Sequence, residues 1–314
     1  MSPTIVRIRN LTRRFGEKTA LDNVSLDVEA GGVLGLVGEN GAGKTTLIKH
    51  ILGLLRAQEG TVRVFDRDPA VDPVGVLSRI GTLSEDPDLP EWMRIDQLMR
   101  YTRAFRPRWD DNYASQLLSR FRLDRSARVG ALSKGQKARV GLVIALAYRP
   151  EFLVLDEPSS GLDPIVRRDI LATALQEVSE DGRTVLFSSH LLDEVERVAD
   201  HVTMIHAGQV AISAELTEIQ ASHRALRVRF RQPRSVPPTV DGALHWEGRD
   251  QEWTVITDNN DRVVESLSRS LGGNPGDPSL GGHDDSAEVL ESRPASLDEV
   301  FVSRAGRHLE RPDP

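Results

Sequence analysis

Residues 38–45 read Gly-Glu-Asn-Gly-Ala-Gly-Lys-Thr, a complete G-x-x-x-x-G-K-[ST] phosphate-binding loop. The apolar run Val33-Leu34-Gly35-Leu36-Val37 before it reads as a buried strand. Thr45 to Leu55 after it carries Leu47, Ile48, Ile51, Leu52 and Leu55 at helical spacing. The loop therefore falls between a strand and a helix N-terminus, the context that separates a phosphate cradle from a chance glycine-rich turn. Gly38, Gly41 and Gly43 let the backbone turn its N–H groups toward a polyphosphate, and the helix dipole adds positive potential. Lys44 is expected to reach the β- and γ-phosphates, and the Thr45 hydroxyl to bind Mg2+. Asn40 and Thr46, inside and just after the loop, belong with the nucleotide-binding residues. The stretch predicts a site for a nucleoside triphosphate.

Outward from the loop, Ile5-Val6-Arg7-Ile8, Val24-Ser25-Leu26-Asp27-Val28 and Thr61-Val62-Arg63-Val64-Phe65 alternate apolar and polar residues. That pattern predicts half-buried strands of a small antiparallel sheet. Pro90 to about Arg122 reads as helical, with Trp92, Met93, Leu98, Tyr101, Phe105, Leu117, Leu118 and Phe121. Wholly apolar runs return at Phe152–Leu155 and Thr184–Phe187, as in a parallel sheet covered on both faces. Val202–Ile205 and Gln209–Ile212, around Ala207-Gly208, predict a closing hairpin. Beyond about Ser222 the pattern starts afresh. Leu226–Phe230 and Trp253–Ile256 read as strands, and Val263–Leu271 as a short helix. Gly272–Asp285 reads as a loop containing a solvated turn at His283, Asp284 and Asp285. Ser296–Ser303 reads as a last helix with Leu297, Val300 and Phe301 on one face, to be buried against its own domain or a partner subunit. No internal repeat is visible.

The 314 residues suffice for one nucleotide-binding domain and something more. A net charge of −7 gives no basic balance to argue for nucleic acid, since the arginines are interleaved with acids. With no cysteine there is no disulfide, thiol chemistry or Cys-based metal site. The longest dense apolar run, Leu142–Ala147, falls far short of the roughly 18–20 residues of a membrane span. Met1-Ser2-Pro3-Thr4 shows no signal peptide, and the chain is expected to be soluble and cytoplasmic.

A second motif supports the first. Leu155-Asp156-Glu157 ends an apolar strand with two carboxylates. In P-loop NTPases an acid at such a strand end helps to hold Mg2+, here Asp156. Its neighbour Glu157 can orient or polarise the attacking water. Leu132-Ser133-Lys134-Gly135-Gln136, before the apolar stretch Ala138–Tyr148, is by itself a capped helix start.

Taken together, these motifs resemble the ATPase subunit of an ABC transporter over about residues 4–220. The family signature LSGGQ is matched by Leu132–Gln136, with Lys134 in place of the first glycine. Ser160-Gly161-Leu162-Asp163 is similar to the family's D-loop, and His190 to its switch histidine. Phe15 stands where the family places an aromatic that stacks on adenine, although the residue alone reads equally as core. One departure is Glu85, where the family has a glutamine that serves Mg2+ or its water. Glutamate keeps the oxygen but adds negative charge near the γ-phosphate, to be offset by Lys134 of a partner subunit; the alternative is a solvent-facing Glu85. The finer resemblance is to stand-alone ATPase subunits of bacterial exporters. In them an appendage follows the cassette and ends in a segment much like Ala295–Phe301.

The resemblance implies an α/β P-loop NTPase cassette over residues 1–220. It would comprise a parallel core sheet with helices, an antiparallel β subdomain and a helical subdomain at about 90–150. A small accessory α/β domain would follow at 221–303, and a disordered tail at 304–314. It implies ATP and Mg2+ as cofactors and a head-to-tail homodimer. Each ATP would be held by Lys44 and Thr45 of one subunit and capped by Ser133, Gly135 and Gln136 of the other. Glu157, His190 and Lys44 would be catalytic; Thr45, Asp156 and Glu85 would serve the metal; and Ser160–Asp163 would lie at the dimer contact. A separate transmembrane permease would complete the transporter, placing the chain peripherally on the cytoplasmic face of the membrane. The competing readings are an ABC-type ATPase acting on ribosomes or DNA, and a regulatory nucleotide-binding subunit. The absence of a second cassette weighs against the first, and intact Asp156, Glu157 and His190 against the second.

Overall fold

The computed structural model describes residues 3–269 and 287–309. The chain divides into two compact units, Met1–Ser213 and Ala214–Pro314. The expected loop at Gly272–Asp285, with His283, Asp284 and Asp285, lies outside the described residues, as does 310–314.

In the first unit β1 (Thr4–Phe15) and β2 (Lys18–Glu29) form an antiparallel hairpin. β3 (Gly32–Val37) leads through the phosphate loop into α1 (Lys44–Ile51), and β4 (Glu59–Val64) returns to pair with β1. The result is a three-stranded sheet, β2-β1-β4. Phe65, read from sequence as strand, lies past its end at φ 52. Next come α2 (Pro73–Leu77), β5 (Ile80–Leu83), α3 (Ile95–Arg103), α4 (Asp111–Arg120) and α5 (Lys134–Leu146). The helical stretch expected over Pro90–Arg122 is thus two helices, parted by a segment containing Pro107. Asp110 starts the second by accepting a bond from the Tyr113 N–H at 2.9 Å.

β6 (Phe152–Asp156), α6 (Pro164–Asp181), β7 (Thr184–Ser189), α7 (Leu192–Val198), β8 (His201–His206) and β9 (Gln209–Glu215) follow. The strands make a six-stranded sheet in the order β5-β6-β7-β3-β8-β9. From β5 to β8 every pairing is parallel. β6 and β7 are buried at almost every position, which explains their unbroken apolar sequence. Between β8 and β9, Ala207 and Gly208 both take positive φ, the two-residue turn that matches the twist of a hairpin. Leu36, Leu47, Ile51, Val154 and Leu186 pack β3, α1 and the core sheet into one apolar cluster that includes Ile8 and Leu21 of the antiparallel sheet.

The second unit contains α8 (Leu216–Ser222), β10 (Arg224–Arg234), β11 (Ala243–Thr257), α9 (Asn260–Arg269), β12 (Ala287–Pro294) and α10 (Leu297–Leu309). Its sheet runs β11-β10-β12, antiparallel throughout. β11 bends at Gly248 and Asp250, both at positive φ, so that the Thr257 hydroxyl donates to the Gly242 carbonyl at 2.8 Å. Trp253, Val255, Val263, Leu267 and Phe230 form a separate core. On α10, Leu297 and Val300 are buried and Phe301 is half-buried. The helix extends six residues past Ser303, so 304–309 is helical where a disordered tail is expected.

Candidate functional site

The phosphate loop leaves the C-terminal end of β3, and the two carboxylates leave the same end of β6, two strands away across β7. Ligands of open α/β sheets bind at this edge. Two glycines explain the loop's path. A Cβ on Gly43, at φ 116, would stand 2.6 Å from the Ala20 carbonyl oxygen, and one on Gly38 would stand 2.3 Å from that of Ile205. Only glycine admits both approaches.

The loop opens into a cleft of about 280 Å³ lined by Phe15, Lys18, Gly41, Lys44, Thr45 and Glu85, with Ala20, Asn40, Gly43, Thr46 and Glu157 completing the wall. Phe15 is no core residue: its ring is half exposed at the mouth, with the Arg13 guanidinium 4.6 Å from its centroid. Lys44 is buried at the floor, its Nζ donating to the Gly38 carbonyl at 2.6 Å and the Glu39 carbonyl at 3.2 Å. The same ammonium stands 3.0 Å from Glu157 Oε1, with both side chains nearly excluded from solvent. This is a charge contact rather than an aligned hydrogen bond, so Oε1 keeps its accepting capacity. The other carboxylate oxygen of Glu157 lies 2.8 Å from His190 Nδ1. Glu157 thus touches both residues expected to share the γ-phosphate with it.

Asp156 is fixed from two sides. The Thr45 hydroxyl donates to its Oδ1 at 3.3 Å and the Ser188 hydroxyl at 2.7 Å. Ser188 also accepts the Glu157 backbone N–H at 2.9 Å, so one hydroxyl on β7 positions both acids. Glu157 itself has φ 49, a left-handed backbone that non-glycine residues adopt at a cost where the surroundings require it. Behind it the Ser159 hydroxyl donates to Glu194 at 2.9 Å, and Arg167 pairs with that carboxylate at 3.0 Å. Ser188 and the Ser159–Glu194–Arg167 support were not legible in the sequence. They are ordinary polar residues, and their geometry depends on strand order.

Among the described residues no cluster of three His, Cys, Asp or Glu side chains could hold a metal alone. A hydroxyl and one carboxylate, Thr45 and Asp156, make an all-oxygen pair. That fits Mg2+, which is usually held by one or two protein oxygens together with substrate phosphates and water.

Glu85 lines the cleft rather than pointing away from it, and its carboxylate accepts the Ser160 hydroxyl at 2.6 Å. Lys134 reaches Asp86 of its own chain at 3.5 Å. Gly161 takes φ 65, Leu162 is buried, and Asp163 caps α6 by accepting the Ile165 and Val166 N–H groups, each at 3.0 Å. Ser133 and Gln136 form a reciprocal cap at the start of α5, at 3.2 and 2.9 Å. A Cβ on Gly135 would meet Val166 at 3.1 Å. Ser133, Gly135 and Gln136 do not line the cleft that holds Lys44.

A phosphate cradle after β3, an acid pair at the end of β6 and a histidine just past β7 define a P-loop nucleoside triphosphatase. Residues 21–160 match the family described as ABC transporter. The chain is 30% identical over 320 residues to the Nod factor export ATP-binding protein I of Burkholderia orbicola, covering 99% of this chain and 100% of that protein. It is 34% identical over 242 residues to the methionine import ATP-binding protein MetN of Rhizobium johnstonii, covering 71% of this chain and 64% of that one. A solved structure of the ATP binding subunit of an ABC transporter matches with a TM-score of 0.64 at 28% identity, over 69% of this chain and 92% of that one. The chain belongs to the ABC transporter ATP-binding proteins and is an ATPase of that family. Among the described residues no helix is long and apolar enough to cross a membrane.

Proposed function

We propose that this chain is the ATP-hydrolysing subunit of a transporter whose membrane-spanning part is a separate chain, and that export is its direction. The observation that carries the catalytic reading is the contact chain Lys44–Glu157–His190 on the floor of the Phe15 cleft. Lys44 is held by Glu157 and two loop carbonyls. A triphosphate competes for the same ammonium, so binding draws Lys44 off Oε1 and leaves that oxygen to accept a proton from water. His190, held by Oε2, would contact the γ-phosphate. Thr45 and Asp156 would hold Mg2+, which would supply charge neutralisation to the phosphates.

The Ser133–Gln136 cap presents the N-terminus of α5 without lining its own cleft. That arrangement supports a head-to-tail pair in which each α5 completes the partner's site, its N-terminal dipole facing the γ-phosphate. Ser160–Asp163 would lie at that contact. Separation of the pair after hydrolysis would drive the membrane partner, with the cassette on the cytoplasmic face. Export is supported by likeness along the whole chain, appendage included, to a protein named for export.

The test uses two variants. Glu157→Gln keeps shape and hydrogen bonding but removes the base, so ATP should bind and hydrolysis fall by about 100-fold or more. ATP-bound dimers should then accumulate on size exclusion. Lys44→Ala should weaken ATP binding sharply in calorimetry. Normal steady-state turnover by Glu157→Gln would sink the assignment of the base. Unchanged ATP affinity in Lys44→Ala would remove the cleft as the site. Identification of the chain that co-purifies from detergent extracts tests the membrane partner.

A further inference from the structure

The hairpin that carries Phe15 holds a second cleft residue, which the nucleotide motifs leave out. In the β1–β2 register Lys18 stands directly opposite Phe15. Both line the cleft. The Lys18 ammonium reaches toward the phosphate loop, 3.9 Å from where a Cβ on Gly41 would stand. The Lys18 ammonium makes no ion pair or hydrogen bond with any described residue. Two arginines of the same sheet are paired, Arg9 with Asp27 at 2.7 Å and Arg14 with Glu59 at 2.5 Å. An unpaired ammonium therefore hangs between a base-stacking ring and a phosphate cradle. In a nucleotide bridging those two points, the ribose and α-phosphate fill that interval.

We propose that Lys18 is a nucleotide-binding residue that contacts the α-phosphate. The proposal rests on the Phe15 cleft being the ATP site. The chemistry favours phosphate over ribose, because a compact, hydrated ammonium is a point-charge partner for an anion. The cleft's other full cation, Lys44, is held at the floor by Gly38, Glu39 and Glu157, so the two lysines serve opposite ends of the phosphate chain. Lys44 distinguishes nucleotides by their terminal phosphates. Lys18 meets a group that ATP and ADP share.

Calorimetry of ATP and ADP with the full chain tests this, using Lys18→Ala, Lys18→Gln, Lys18→Arg and Lys44→Ala. Lys18→Ala should raise the Kd of both nucleotides by a similar factor, about fivefold, as for a partly exposed charge-assisted contact. The loss should shrink as salt is raised. Lys18→Gln should behave like Lys18→Ala, and Lys18→Arg should restore most of the affinity. Lys44→Ala should instead weaken ATP far more than ADP. Lys18 is exposed at the start of a strand, so circular dichroism should be unchanged in its variants. Wild-type affinities in Lys18→Ala beside a crippled Lys44→Ala would overturn the proposal and leave the cleft intact. A loss confined to ATP would move the contact to the terminal phosphates and overturn it as well. Full rescue by Lys18→Gln would assign a neutral ribose contact instead. Wild-type affinity in Lys44→Ala would overturn the cleft reading itself.

Discussion

At the scale of single residues, charge placement decides what the cleft does. Glu85 brings a carboxylate to its wall, and the Ser160 hydroxyl holds it there at 2.6 Å. A triphosphate entering the cleft meets that charge. Glu85→Gln removes the charge while keeping an acceptor for Ser160, so ATP affinity should rise about two- to fivefold at low salt, with turnover kept or improved. Glu85→Ala loses the oxygen too, and its turnover should fall. Equal kinetics for both variants and wild type across a Mg2+ titration would show that this carboxylate does not act in the site. Legibility at this scale follows how local each constraint is. Lys44, Thr45, Asp156 and Glu157 lie in motifs whose spacing carries the chemistry, and the structure brings them together. Ser188 was invisible because its role depends on β7 lying between β3 and β6. Phe15 by itself reads equally as core or cleft in the sequence because its exposure is a property of the hairpin end.

At the scale of elements, helix ends illustrate the same rule. Ser296-Leu297-Asp298-Glu299 closes a reciprocal cap at the start of α10. The Ser296 hydroxyl accepts the Glu299 N–H at 3.3 Å, and the Glu299 carboxylate accepts the Ser296 N–H at 2.8 Å. Arg293 adds a two-toothed contact to the same carboxylate at 2.6 and 2.8 Å, which holds Glu299 below the usual carboxylate range. Ser296→Ala should cost the second unit about 1 kcal/mol, read as a lower urea midpoint of its transition, and Ser296→Thr should recover most of it. No shift with Ser296→Ala would mean that the packing of Leu297 and Val300 alone sets this helix. Such S-x-x-E starts are legible in sequence, whereas β12 was not. Of Ala287–Pro294 only Ala287 is buried, so this outer strand has no alternation to read. The bend in β11 was equally hidden, because two positive-φ residues set it rather than a change in hydrophobic period.

At the scale of the whole molecule, each unit has its own buried histidine. In the first, His50 sets Nδ1 2.8 Å from the Thr46 carbonyl, and burial pushes its pKa down. In the second, burial again lowers His223, with Arg304 opposing its charge and Asp258 and the Ile219 carbonyl favouring it. The Arg304 guanidinium donates to His223 Nε2 at 2.9 Å, so Nδ1 carries the proton that faces Ile219. Both histidines are easier to protonate in the unfolded chain. Below an unfolded pKa of about 6.5 the unfolded state binds more protons, and stability falls with pH; above it this contribution is complete. Thermal midpoints of both transitions should therefore decline from pH 7 to 5. His223→Gln should flatten the decline of the second transition only, and an unchanged slope in that variant would remove His223 as its cause.

The division of labour between the units yields the last prediction. Among the described residues, those that line the nucleotide cleft and the hydroxyls that position Asp156 and Glu157 lie within residues 1–213. The second unit has a core of its own around Trp253, Val255 and Val263. Groups that share no partner contribute to binding nearly additively, within about 0.5 kcal/mol. A chain truncated after Ala221 keeps β9 and most of α8, so it should bind ATP with a Kd within about twofold of the full chain, still dependent on Lys44. Its thermal profile should lose the transition that Ser296→Ala shifts and keep the one that nucleotide raises. If the appendage serves dimer contact or regulation, as we propose, the loss should appear in assembly or in the turnover of the transporter, with intrinsic affinity unchanged. Loss of ATP binding by a truncated chain whose circular dichroism shows it folded would mean that the second unit shapes the cleft.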